Sequence, residues 1–115
     1  MKSERARSTK ESKLPGPYQQ FIQDYPELGA VHDQMGQVIR SLAGLDGKTC
    51  SLIKIGICLG AGLESALRSH VRRAVQHGAT KEEIMQAMLL GMTTVGFPST
   101  VAAWTWAKKQ FERGV

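Results

Sequence analysis

The side chain best placed to do chemistry in this sequence is His70. It lies in LESALRSHVRRAV, residues 63–75, where Leu63, Ala66, Leu67, Val71 and Ala74 recur with it at i, i+3, i+4, i+7, i+8 and i+11. One apolar helical stripe therefore carries a single imidazole at its centre. Glu64, Arg68, Arg72, Arg73 and Gln76 occupy the opposite face, which specifies the solvent side and turns His70 inward. An enclosed imidazole tuned near neutrality transfers protons as general acid or base; the plainer reading is a satisfied core group. The preceding helical segment, GKTCSLIKIGICLGAG, offers Ser51, Lys54 and Cys58. A Gly-rich connection at residues 60–62 makes the two helices antiparallel neighbours, so Cys58 should lie near Leu63 and Ala66, with Ser51 and Lys54 nearer His70 and Ala74. Lys54 could hold a carboxylate there. The expected pocket is apolar, walled by Ile55, Leu67 and Met88 or Phe97, with His70 as its main titratable group. Arg72 and Arg73 could grip an acid, although a solvated basic face accounts for them more simply. His77 reads as a partner for its helix C-terminus.

Other chemistries fail on spacing. Gly47-Lys48-Thr49 lacks the strand and the spaced glycine of a phosphate-binding loop, and GICLGAG follows no strand that could build a dinucleotide site. Cys50 and Cys58 are eight residues apart on one helix, ~12 Å along its axis, too far to form a disulfide with each other. No metal or organic cofactor is expected.

The chain has 115 residues, 42% of them hydrophobic, enough for one domain with its own core. Its formal charge of +5 is concentrated: residues 1–13 carry Lys2, Arg5, Arg7, Lys10 and Lys13 against Glu4 and Glu11. That basic, aromatic-free segment cannot offset its ordering entropy, so residues 1–16 are expected to be disordered and 17–115 to form the domain. No basic helix or aromatic platform accompanies it, so nucleic acid is not an expected partner. Nothing approaches the roughly 18 apolar residues of a membrane span, and with a charged, serine-rich N-terminus no apolar leader is expected. The expectation is a cytoplasmic protein that does not engage membranes.

The pattern is all-α. A short helix through Tyr18, Phe21 and Ile22 must stop before Pro26. A second presents Leu28, Val31, Met35, Val38, Ile39 and Leu42. Asp46 is the expected N-cap of a third helix, over 47–60, and Gly78 the stop of the His70 helix. Thr80 and Glu83 form a capping box for a fifth helix, expected to run from 81 to 95. Its many apolar residues, Ile84, Met85, Met88, Leu89, Leu90, Met92 and Val95 among them, exceed what a surface helix of a monomer needs and predict a subunit interface. Pro98 opens the last helix.

Residues 45–111, through LDGKTCSLIKIGICLG, SHVRRAVQHGATKEEIMQAM and GFPSTVAAW, resemble the carboxymuconolactone decarboxylase and alkylhydroperoxidase D superfamily. The resemblance implies an all-α bundle with a central antiparallel helical hairpin, assembly into homotrimers or homohexamers, and a pocket around His70. In the peroxidase branch a Cys-x-x-Cys pair precedes the histidine; its positions match Leu63 and Ala66, and an acidic position matches Ser51. Without the dithiol no thiol relay can run. The decarboxylase branch keeps the histidine without the dithiol, but usually with a carboxylate within a turn of it, where this chain has Ala66 and Leu67.

Three readings follow. The first is a small-molecule enzyme acting on a lactone or carboxylic acid, with His70 as general acid or base and Lys54, Cys58 and Ser51 lining the substrate site. The second is a non-catalytic oligomeric scaffold. The weakest is an antioxidant of the peroxiredoxin type that uses Cys58 as a lone thiol.

Overall fold

The structure, a computed structural model, describes residues 16–42 and 44–114. The expected disordered segment therefore lies almost wholly outside the described residues. Six α-helices and a 3₁₀ turn make up the fold, with no strand among the described residues. None of these helices is long and apolar enough to cross a membrane.

The chain divides into two compact units, residues 1–43 and 44–115. In the first, α1 (Pro17–Asp24) and α2 (Pro26–Ser41) each start with proline, whose missing N–H is no loss in the first turn. Gly29 is buried, and a Cβ there would collide with Ile22, so glycine lets α2 close onto α1. The apolar stripe of α2 faces outward. Leu28, Val31, Met35, Val38, Ile39 and Leu42 are all more than half exposed, as are Tyr18 and Tyr25.

In the second unit, α3 (Gly47–Ala61) and α4 (Glu64–Gln76) form the antiparallel hairpin. The Asp46 carboxylate caps α3 by accepting the Thr49 N–H at 2.8 Å. Gly62, at φ 71°, ends α3 in the left-handed conformation, and the Leu63 N–H returns to the Cys58 carbonyl at 2.9 Å. Gly78, at φ 93°, turns the chain after α4. The predicted capping box is formed: Glu83 N–H donates to Thr80 Oγ1 at 3.0 Å, and Thr80 N–H to Glu83 Oε1 at 2.9 Å. The core joins Ile55, Cys58 and Leu59 of α3, Leu67, Val71 and Ala74 of α4, Ile84 and Met88 of α5 (Lys81–Leu89), and Ala103 and Ala107 of α6 (Phe97–Glu112).

Two expectations about these elements are corrected. The fifth helix stops at Leu89 and tightens into a 3₁₀ turn, Leu90–Thr93, instead of running to Val95. The Gly91 carbonyl collects the N–H groups of Thr94, Val95 and Gly96, and a side chain at Gly91 would press on Leu59. Gly96, at φ 105°, then admits the chain to α6. Nor is Arg68 a solvent-face residue. Its side chain is 17% exposed and donates through Nε to Gln110 of α6 at 3.2 Å, while Nη1 pairs with Glu64 at 3.8 Å.

Candidate active site

His70 lies along the edge of α4, one turn from Leu67 and Ala74, both fully buried. Its ring is half-buried, and Nδ1 is enclosed without a hydrogen-bond partner among the described residues. Such an atom forgoes the water it would otherwise bind, and a structural histidine is normally satisfied. Burial lowers the imidazole's pKa from its ordinary 6.5, and the positive charges of Arg73 and Lys54 lower it further. The imidazole is therefore neutral at pH 7. Its Nδ1 is unengaged, and two positive charges act on the ring.

The sequence placed Lys54 near His70 by antiparallel register, and its charge does act on the ring. Lys54 is exposed and also bears on Cys58, one turn along α3. Cys58 is 4% exposed and Ser51 5% exposed, both on the inner side of α3. Burial pushes the Cys58 thiol above its ordinary value, more than Lys54 pulls it down. It packs as a small hydrophobe. Arg73 is the neighbour that sequence reasoning underweighted. Its position three residues after His70, on the same helical edge, was the available signal.

The expected pocket walls are not a pocket. Ile55, Leu67 and Met88 are at most 1% exposed and pack into the core, while Phe97 is 65% exposed and faces away from it. A cavity of about 540 Å³ lies instead along α3, α5 and the 3₁₀ turn, open to solvent and lined by Leu52, Ile53, Gly56, Leu59, Leu90 and Val95 among others. His70, Lys54, Cys58 and Ser51 are not part of its wall. At its polar end Glu83 accepts from Lys48 Nζ at 3.1 Å. Among the described residues no three His, Cys, Asp or Glu side chains are grouped to hold a metal ion.

The sequence profile of the carboxymuconolactone decarboxylase family matches residues 26–109. The chain belongs to this family. It is 35% identical over 72 residues to a 4-carboxymuconolactone decarboxylase from Acinetobacter baylyi, covering 63% of this chain and 54% of that protein. It is also 35% identical over 66 residues to the nitrosuccinic acid decarboxylase npaB of Metarhizium robertsii, covering 57% of this chain and 46% of that one. The chain thus spans about half the length of these curated relatives. A carboxymuconolactone decarboxylase family protein from Legionella pneumophila, crystallised in its apo form, shares the fold with a TM-score of 0.72 at 25% identity, over 84% of this chain and 85% of that one. The all-α, alkylhydroperoxidase D-like architecture is therefore that of a carboxymuconolactone decarboxylase-like protein. Within this family member, Leu63 is 48% exposed at the N-cap of α4 and Ala66 half-buried a turn later. Carbon side chains stand where the peroxidase branch carries its thiols.

Proposed function

We propose that this chain is an enzyme that needs no cofactor and decarboxylates a small carboxylic or lactone acid, with His70 transferring the proton. The observation that carries this reading is the unpartnered, enclosed Nδ1 of His70, on whose ring the charges of Arg73 and Lys54 act. An acid anion held by those two cations cancels much of the repulsion that keeps the imidazole neutral, so binding raises the histidine's pKa. The ring then takes up a proton. When the carbon–carboxylate bond breaks, carbon dioxide leaves and the electron pair passes to carbon, stabilised by an electron-withdrawing group of the substrate. The imidazolium protonates that carbon and returns to its neutral form. The names of both curated relatives denote decarboxylation of an organic acid, which supports this substrate class.

We test this by measuring carbon dioxide release from 4-carboxymuconolactone and from nitrosuccinic acid. Turnover by the wild type that His70→Ala lowers by about 10²-fold or more supports the proposal, as expected when a general acid–base is removed. Equal turnover in both proteins would overturn the role of His70.

We also propose that the chain works as a homotrimer or homohexamer. The outward stripe of α2, and Ile53, Leu90 and Val95 around the open cavity, are exposed apolar surfaces of a kind that self-association covers. The scaffold reading draws on one observation, that this cavity lies away from His70. A stable oligomer that neither binds nor turns over small acids would favour it.

A further inference from the structure

The two arginines on the other edge of α4 share one acceptor. Arg68 Nε donates to Gln110 Oε1 at 3.2 Å, and Arg72 Nη1 donates to the same oxygen at 3.3 Å. Gln110 is 5% exposed, so its amide is held deep in the seam between α4 and α6. A neutral amide oxygen can draw two guanidiniums together, but it cancels neither charge. Glu64 Oε2 is the one carboxylate among the described residues that reaches them, touching Arg68 Nη1 at 3.8 Å from a side chain 47% exposed. Arg72 has no carboxylate partner among the described residues. Arg72 is exposed as a residue, yet burial of its head, then the Arg68 and Arg73 charges, pushes its guanidinium below the ordinary value.

We propose that this seam is an oxyanion-binding site, separate from His70, in which Arg68 and Arg72 take a phosphate or carboxylate group of a small ligand. Each guanidinium carries five N–H donors in a rigid plane, and most of those of Arg72 stay uncommitted after Gln110 is served. Gln110 sets both forks before the ligand arrives, so less side-chain entropy is lost on binding. An oxyanion supplies the charge that the amide lacks and can bridge the two forks.

The test is a thermal melt of the full chain in inorganic phosphate, in succinate and in sodium chloride at matched ionic strength, with wild type, Arg72→Gln and Lys54→Met. The expected result is a saturable rise in Tm of about 5 °C or more at ten times the dissociation constant. Arg72→Gln should lose that rise and Lys54→Met should keep it. A rise with phosphate alone assigns the phosphate class, and one with succinate alone the carboxylate class. If Arg72→Gln does not fold, broadening of the phosphate ³¹P resonance by wild type, resistant to chloride, supports the site. Equal melting in all three salts, or a full response in Arg72→Gln, would overturn it.

Discussion

Replacing His70 with leucine should make the protein more stable while removing its chemistry. Nδ1 is enclosed and unpartnered, and an unsatisfied buried polar atom costs about 1–3 kcal/mol. Since the ring as a whole is only half-buried, the lower end applies, and leucine keeps most of the apolar contact. The expected gain is therefore about 1 kcal/mol at pH 7. For a unit the size of residues 44–115, that raises Tm by roughly 4–8 °C. The gain should grow in acid. His70 has a folded pKa below its ordinary 6.5, so the unfolded chain takes up the proton first as pH falls below that value, and the wild type loses stability there. His70→Leu lacks this group and this loss. Urea melts at pH 7.5 and 5.5, at fixed protein concentration, would read both effects as a higher midpoint at unchanged slope. If His70→Leu is less stable than wild type by 1 kcal/mol or more at pH 7.5, the nitrogen has a partner and the reasoning fails.

Removing either flanking cation, as Lys54→Met or Arg73→Met, should raise the His70 pKa; an unchanged imidazole titration by NMR would show that neither charge reaches the ring. Leu67→Ala, at a site with no solvent exposure, should cost about 3 kcal/mol in chemical denaturation. Peroxide consumption with dithiothreitol should not exceed that of a Cys50→Ser, Cys58→Ser double variant, because burial holds the Cys58 thiol protonated. Light scattering at micromolar concentration should give a mass several times 12.6 kDa, and a monomer mass would count against self-association of the apolar faces.

The features legible in the sequence were those written in nearest neighbours. Asp46 and Thr49, Thr80 and Glu83, and the glycines at 62 and 78 declare helix ends through local hydrogen bonds and left-handed turns, and the structure forms each of them. The antiparallel register followed from the short connection, which put Lys54 near His70. What escaped was set by tertiary contact. Nothing local says that Gly91 must approach Leu59, so the fifth helix looked longer than it is. Gln110 is forty-two residues from Arg68, and periodicity on α4 alone assigned that arginine to solvent. Ile55, Leu67 and Met88 point inward as expected, but pattern cannot tell a pocket wall from a filled core.

The turn at Gly62 has a consequence for how this protein can evolve. It closes the hairpin with only Gly62 and Leu63 between the helices, so the alignment of α3 with α4 is a count of residues. Lys54 is eight positions before Gly62, and His70 eight positions after it. One residue inserted within either arm would swing everything beyond it by about 100° and 1.5 Å, taking the ammonium off the imidazole's side of the helix. Side chains along the hairpin can be exchanged one at a time and the two arms still meet in register. The length between Lys54 and His70 has no such latitude, and a lineage that altered it would have to find the proposed chemistry again elsewhere on the fold.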